Sequence, residues 1–464
     1  MEKLLLSYYG DDFTGSTDVL EALSLHGIPT VLFLHPPTRA ELAARFPAAR
    51  AIGVAGLTRT FGRAALEAAF RPAVVALQAL GAEILHYKVC STFDSSPATG
   101  SIGLAAEIGA DVTGAQLVPV IVGAPRLRRH VVFGNLFAGV VGETHRLDRH
   151  PTMSCHPVTP MRESDLRRHL AEQTKVPGKL IDVLALAAGP AAVSRLLKTL
   201  EGTLRQNIFF DTLDDGHLAT IGQVLWQQRA ELGRFVVGSS GVEWALGSEW
   251  RRLGLAPAQA SVQAAGAVSH MLAMTGSASP ATDGQIAAAL EAGWAGIRLP
   301  METLIDPASP DATWREIEDG ILTQLQVGRS VVAYATRGGR DPAMAATRAR
   351  ATALGLPSAA SAAAAAQARL LQRLLSRQPL PRVLVAGGDT SGWAAQALGI
   401  NALEFIQPLA PGAPLCRAHL PEATAPALQI VLKGGQVGGP DFFESVRLAR
   451  TEDPVNPPAP AQKK

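Results

Sequence analysis

The chain has 464 residues, 47% of them hydrophobic, and a formal net charge of +2. That length exceeds one ordinary hydrophobic core and the composition can fill two, so two domains are expected. The near-balanced charge, with no basic block and no interleaved aromatics, argues against a nucleic-acid partner. Cys90, Cys155 and Cys416 lie far apart with no C-x-x-C spacing, which speaks against a disulfide framework or a zinc cluster and fits a reducing compartment. The opening "MEKLLLSYYGDDF" has too short an apolar run for a secretory leader, and no segment offers the roughly 18 apolar residues of a membrane span. A soluble cytoplasmic protein without a membrane partner is expected.

Taken in chain order, the first strand-like run is "LLLSYYG", and it ends on Asp11 and Asp12 in "YYGDDFTGSTD". Neighbouring side chains at an extended strand end point to opposite sides, so one of the two aspartates faces a ligand and the other orients the loop. Ser16 and Thr17 then fall near the start of a helix. An ordinary helix cap is the competing reading. The runs "TVLFL" and "AIGVAG" follow, the second leading into "GLTRT", where Arg59 can grip a carboxylate or serve only as a surface charge.

Next, "EILHYKV" opens "HYKVCSTFDSSPATGSIG", the stretch densest in polar groups after any strand. Lys88, Ser91, Thr92 and Asp94 offer a cation, two hydroxyls and a carboxylate, a set suited to a small polyhydroxylated anion. After "QLVPVIV", residues 134–161 carry His145, His150 and His156 among arginines and prolines. Their spacing fits no common histidine metal site, so a proline-braced loop recognising an anion is expected. The run "RFVVGSS" closes this half. Residues 256–270 then lose periodicity and charge, so domains are placed at 1–255 and 271–450, with a hinge between them.

In the second half, "GSASP", "VAGGDTSGWAAQALG" and "VLKGGQVGGPDFF" are small-residue loops that follow apolar strands, and "SVVAYAT" is a further strand. Glycines let backbone N–H groups approach phosphates, and Ser391 and Gly392 are expected to open a helix whose N-terminus favours anions. A single glycine turn reads more readily as a plain turn, but three such loops in one domain point to nucleotide binding. Neither G-x-x-x-x-G-K-[ST] nor G-x-G-x-x-G occurs. The run "SAASAAAAAQARLLQRLLSR" spaces its leucines as a helix does, and the tail 451–464 is expected to be unstructured. Strand-length runs separated by helix-length segments predict an α/β fold: two domains with largely parallel sheets flanked by helices, and ligand sites in the cleft between domains.

In this order and across nearly the whole chain, "GDDFTGSTD", "KVCSTFDSS", "HPVTPM", "GSASP", "AGGDTSG" and "LKGGQVGGPDFF" resemble the four-carbon acid sugar kinase family. The resemblance implies an N-terminal acid-sugar-binding domain, a C-terminal nucleotide-binding domain, and phosphorylation of a sugar acid by ATP with Mg²⁺. It implies that Asp12, beside Asp11, holds a substrate hydroxyl and that Arg59 pairs with the substrate carboxylate. Lys88, Ser91, Thr92 and Asp94 match the family's substrate loop. Ser277 matches the first serine of "G-S-x-S". Gly387, Gly388, Asp389 and Thr390 match "G-G-E/D-T", and Gly435 matches the glycine of "L-K-S-G-N-F-G". Here "KSGNFG" reads "KGGQVGG", and residues 134–161 are longer and more basic than in threonate and erythronate kinases. Those departures resemble the branch acting on 3-oxo-isoapionate.

By that resemblance Arg59 and Lys88 fix the carboxylate, while Asp12 or Asp94 orients a hydroxyl and accepts its proton late. Domain closure excludes water. The metal ligands stay unassigned, and a homodimer is compatible with the reading. Two other readings remain: a sensor that binds nucleotide or sugar acid without chemistry, and a dehydrogenase, against which the missing dinucleotide fingerprint counts.

Overall fold

The computed structural model describes residues 2–140, 142–156, 158–200, 202, 204–260, 262, 264–420 and 428–452. The chain divides into two compact units, Met1–Ser261 and Val262–Lys464. The segment between the helix Gly241–Arg252 and the strand that begins at Leu272 holds neither helix nor strand among its described residues.

The first unit contains β1 (Leu6–Gly10), β2 (Thr30–Phe33), β3 (Ala51–Ala55), β4 (Ile84–Lys88) and β5 (Leu117–Ile121). Three short strands follow, β6 (Arg129–Val132), β7 (Asn135–Val140) and β8 (Glu143–Arg146), then β9 (Gly178–Ile181), β10 (Gln206–Phe210) and β11 (Phe235–Gly238). Side by side the main strands run β2, β3, β1, β4, β11, β5, β10, β9, every pair parallel. Both faces are covered by helices, so the strands are apolar almost throughout; β1, β4, β5 and β10 are buried at every position. Tyr8 and Tyr9 of β1 point to opposite faces, and Tyr9 packs edge-on to Phe70 at 5.0 Å.

Register places the site. Gly10 pairs with Ala55 on one side and Lys88 on the other, so β3, β1 and β4 end level. From β1 the chain crosses to β2 and β3 on one flank, then to β4 on the other. That reversal opens a crevice beyond the strand ends, where α/β sheets bind ligands.

The second unit repeats the logic with β12 (Leu272–Thr275), β13 (Ala295–Arg298), β14 (Val331–Tyr334), β15 (Arg382–Ala386), β16 (Ala402–Ala410), β17 (Ala413–His419) and β18 (Gln429–Lys433). The order β13, β14, β12, β15, β18 is parallel, and β17 and β16 extend it antiparallel. Its core gathers Met271, Trp294, Leu384, Val431, Phe442 and Phe443. Thr275 pairs with Ala386, and Ala386 with Lys433, so Gly276, Gly387 and Gly434 leave three level strand ends together. The direction reversal again falls at the first strand, between β12 and β15.

Three expectations need correction. Residues 134–161 are not one loop: β6, β7 and β8 form a three-stranded antiparallel sheet before two short 3-10 turns. The helix after β15 opens at Gly388 with Gly387 as its cap, three residues before Ser391; the positive φ of Gly387, 130°, lets the strand turn into a helix at once. The tail is tethered at its start, because Glu452 donates its N–H to Leu409 O at 2.7 Å and Thr451 its hydroxyl to Pro408 O at 2.8 Å. Residues 453–464 of that expected tail lie outside the described residues.

Candidate active site

In the first unit, Asp12 leaves β1 in extended conformation and caps the helix Phe13–Leu25, its Oδ1 accepting from Gly15 N at 2.6 Å. The cap uses one carboxylate oxygen only. The other, Oδ2, accepts from Arg59 Nη1 at 2.7 Å, while Arg59 Nη2 donates to Asp94 Oδ1 at 2.6 Å. Capping and an ion-pair array therefore coexist on one side chain. The hydroxyls beside it turn inward: Ser16 donates to Asp12 O at 2.6 Å and Thr17 to Thr14 O at 2.9 Å.

Asp94 is buried and receives a hydroxyl from Thr92 at 2.5 Å and another from Thr159 at 3.1 Å. Burial raises its pKa, but Arg59 and the Thr92 hydrogen bond outweigh that and hold it below the ordinary carboxylate value. Phe93, between the two, sits in left-handed backbone at φ 55°, a conformation uncommon for a bulky residue that turns Thr92 and Asp94 back toward Arg59. Gly100 allows the loop to close, since a Cβ there would lie 2.4 Å from Arg59 O.

Lys88 ends β4 with its ammonium 3.7 Å from Asp18 Oδ2. Burial lowers its pKa, but Asp18, Asp12 and Asp11 reverse that and raise it, so Lys88 is a buried, fixed cation. Gly15 admits it to the helix N-terminus: a Cβ at that position would stand 2.9 Å from Lys88 Nζ. Asp11 is the inward partner of Asp12, 3% exposed, with Oδ1 lacking a hydrogen-bond partner. Burial and the Asp12 charge push its pKa up to about 7 against Arg59 and Lys88.

The structure thus brings Asp11, Asp12, Arg59, Lys88, Thr92 and Asp94 to one set of strand ends, with Ser91 half-buried in the same loop. Sequence reading missed Asp18 and Thr159, although both lie in motifs it had quoted. Thr159 arrives on the "HPVTPM" segment, where His156 Nδ1 accepts from Thr159 N at 3.1 Å.

In the second unit, a cavity of about 630 Å³ opens beyond β12 and β15. Ser277, Gly387, Gly388, Asp389, Thr390 and Gly435, the six residues expected to hold nucleotide, all line it. Met301, Met344, Leu356 and a series of alanines also line it, with Thr347, Arg348 and Thr352 among them. The volume lies within the range of small-molecule sites, and a wall that joins glycine loops to apolar side chains suits a phosphorylated ligand with an apolar part.

The glycine loops are braced from behind. Gly435 O accepts hydroxyls from Ser279 and from Thr282, the latter at 2.8 Å. Gln285 Nε2 donates to the carbonyls of Val437, Gly438 and Gly439 at 2.9 to 3.0 Å, holding the loop after β18. A Cβ on Gly435 would fall 2.2 Å from Ser277 Oγ, so the two loops touch through a glycine. Exposed Gly388 and Asp389 occupy the first turn of the helix Gly388–Ala397, whose free N–H groups and dipole favour an anion. Beneath lies Lys433, fully buried, with Nζ 3.1 Å from Gly434 O and 3.5 Å from Thr282 Oγ1. Burial lowers its pKa to about 8.

Among the described residues no group of three or more His, Cys, Asp or Glu side chains could hold a metal ion. Asp389 is a single carboxylate on the cavity wall, which suits Mg²⁺ held chiefly by phosphate oxygens and water. Also among the described residues, no helix is long and apolar enough to cross a membrane.

The family profile described as a sugar-binding N-terminal domain matches residues 6–246, and that of a nucleotide-binding C-terminal domain matches 272–443. A 3-oxo-isoapionate kinase of Paraburkholderia graminis is 46% identical over 96% of this chain and 95% of its own length. A 3-oxo-tetronate kinase of Cupriavidus necator is 32% identical over 95% of this chain and 96% of its own. Among solved structures, a protein of Salmonella typhimurium described as a putative tRNA synthase aligns with a TM-score of 0.76 at 26% identity, covering 95% of this chain and 98% of its own. A Haemophilus influenzae protein of the DUF1537 family shares the fold, with a TM-score of 0.71 at 23% identity over 95% of this chain and 99% of its own.

Proposed function

The chain belongs to the four-carbon acid sugar kinase family, and from that premise we propose that it is an ATP-dependent kinase of a small sugar acid, with 3-oxo-isoapionate as its substrate. The observation that carries the reading is the division of chemistry between the units. One holds a hydroxyl- and carboxylate-binding array around Asp12, Arg59 and Asp94, and the other a glycine-walled cavity with a helix N-terminus. The preference for the branched acid over a 3-oxo-tetronate rests on the two relatives, at 46% against 32% identity. A sensor without chemistry needs no proton acceptor, the role this reading gives to Asp12.

Asp12 orients the acceptor hydroxyl and takes its proton as the new bond forms. Arg59 keeps three N–H donors beyond the two it gives to Asp12 and Asp94, and with Lys88 it fixes the substrate carboxylate. Thr92 and Thr159 hold Asp94 as an anion and thereby hold Arg59. Ser277, Gly387, Gly388, Asp389, Thr390 and Gly435 cradle the triphosphate, with Lys433 as the buried charge behind them. Asp389 would be the protein carboxylate available to Mg²⁺, which would supply charge neutralisation on the transferring group. Residues 1–255 carry the acid-sugar half and 271–450 the nucleotide half, joined through 256–270. The enzyme works in the cytoplasm, as a homodimer.

The test is a Mg²⁺- and ATP-dependent turnover assay against 3-oxo-isoapionate, 3-oxo-tetronates, threonate and erythronate, with product mass read directly. Gain of one phosphoryl group on 3-oxo-isoapionate, with the highest kcat/KM of the panel, is expected. Binding of ATP without turnover of any acid would move the protein to the sensor class.

A further inference from the structure

A second cavity, of about 170 Å³, lies in the first unit away from Asp12, Arg59 and Asp94. Its walls are His26, Arg126, Asp215, Trp244, Ser248 and Arg251, with Leu218. By volume it holds about six waters at ~30 Å³ each, too little for a nucleotide and enough for a tetrahedral oxyanion.

His26 is a fixed wall of the cavity whose hydrogen bonds can be counted. His26 is 4% exposed, and Arg251 Nη2 donates to its Nδ1 at 3.0 Å. A guanidinium has no acceptor, so Nδ1 is the unprotonated nitrogen and the proton of the neutral ring sits on Nε2. Burial, Arg251 and Arg126 lower the His26 pKa to about 4, which agrees with a neutral ring. Nε2–H is therefore a buried donor, and it has no partner. An unmet buried donor costs about 1–3 kcal/mol and calls for an acceptor.

The other walls are donors as well. Arg126 stacks its guanidinium 3.9 Å above the Trp244 ring, which fixes its plane. Trp244 also meets His26 edge-on at 5.0 Å, so the indole holds both donors in place. Ser248 adds a hydroxyl. Asp215 is the single acid, its Oδ2 3.9 Å from Arg126 Nη2, and both side chains are more than half exposed, so that pair contributes little.

The geometry points to a phosphate-binding site formed by Arg126, Ser248 and Arg251 against the neutral ring of His26, taking either free phosphate or the phosphoryl group of a small metabolite. His26 caps the C-terminus of the same helix that Asp12 caps at its N-terminus. A ligand here thus grips the far end of the element that carries the proposed base.

The experiment is calorimetric titration of the full chain with inorganic phosphate at saturating ATP, repeated with glycerol 3-phosphate. Arg251→Gln and Arg126→Gln, both substitutions of exposed side chains, are each expected to weaken binding at least tenfold while leaving phosphate-free turnover unchanged. Asp215→Asn is expected to tighten it at least twofold, a gain that misfolding cannot produce. Binding of inorganic phosphate alone identifies the free ion as the ligand; tighter binding of glycerol 3-phosphate identifies a phosphoester. Phosphate affinity within twofold of the original in all three variants, or no binding to the unaltered chain, overturns the site.

Discussion

Arg59 stands between two carboxylates, Nη1 at 2.7 Å from Asp12 Oδ2 and Nη2 at 2.6 Å from Asp94 Oδ1. One planar fork spans both, which a single ammonium cannot do. Arg59→Lys is therefore expected to keep one ion pair and leave the other carboxylate without its partner. Because Asp94 is almost wholly buried, losing its partner should destabilise the fold by about 3 kcal/mol. Chemical denaturation checks this, with the midpoint falling and the slope unchanged. A loss below about 0.5 kcal/mol, the level of a surface pair, would show that the array is not held as described.

Asp12 does two jobs that substitution separates. Asparagine caps helices as well as aspartate does, so Asp12→Asn should retain the helix Phe13–Leu25 while losing the charge paired with Arg59. It cannot accept a proton. Turnover is expected to fall by about 10²- to 10⁴-fold with ATP affinity unchanged, the range of a lost general base. Steady-state kinetics with calorimetric ATP binding distinguishes the two effects, and near-normal turnover would remove Asp12 from the chemistry.

Asp11 gives the protein a pH signature of unusual sign for a carboxylate. Its pKa rises from an ordinary 3.8 to about 7 on folding, so between those values the folded state holds a proton that the unfolded state has lost. Stability from this group accordingly falls as pH rises from about 4 to about 7, and levels off above. Asp11→Asn removes the titration. The stability of the variant relative to the original should grow by at least about 1 kcal/mol between pH 5 and pH 8. Parallel denaturation curves across that range would place Asp11 in a more hydrated setting.

The sequence made the parallel frame legible because strands buried on both faces read as continuous apolar runs. "LLLSYYG", "TVLFL", "AIGVAG", "EILHYKV", "QLVPVIV", "RFVVGSS", "SVVAYAT", "RVLVAGG" and "LQIVLKGG" contain β1 to β5, β11, β14, β15 and β18. The antiparallel pieces were not legible in the same way. β7 alternates buried and half-buried residues, and β8 is open to solvent at its first two positions, so neither shows a run. The candidate site was visible where a polar residue directly ends such a run, as with Asp11, Asp12, Lys88 and Gly387. Thr159 was hidden because a fold contact across 65 positions, not local pattern, brings it to Asp94. Lys433 carried an unread signal: a lysine closing the apolar run "LQIVLK" is a buried cation in search of an anion.

That lysine makes the nucleotide half sensitive to alkali. Burial holds the Lys433 pKa near 8, below its ordinary 10.5, so the ammonium behind the glycine loops discharges as pH passes 8. Phosphate binding favours the charged form. ATP affinity is therefore expected to weaken from pH 7 to pH 9, and in Lys433→Met to be lower at pH 7 and flat over that range. Equal slopes in the two proteins would separate Lys433 from the nucleotide.

Gly435 offers the cleanest separation of the two halves. Its missing Cβ leaves room for Ser277 Oγ, which would otherwise lie 2.2 Å away, and for Ser279 Oγ at 3.3 Å. Ser277 in turn accepts from Ser279 N at 3.2 Å, so a methyl group at 435 displaces a hydroxyl that orders its own loop. The Gly435 carbonyl is held by Ser279 and Thr282, which prevents the backbone from withdrawing. Gly435→Ala should therefore raise KM for ATP at least tenfold, about 1.4 kcal/mol. The array around Asp12, Arg59 and Asp94 lies in the first unit, so KM for the sugar acid and the denaturation behaviour of that unit should stay as they were. A rise in the sugar-acid KM with ATP unaffected would assign the glycine loops to the wrong substrate.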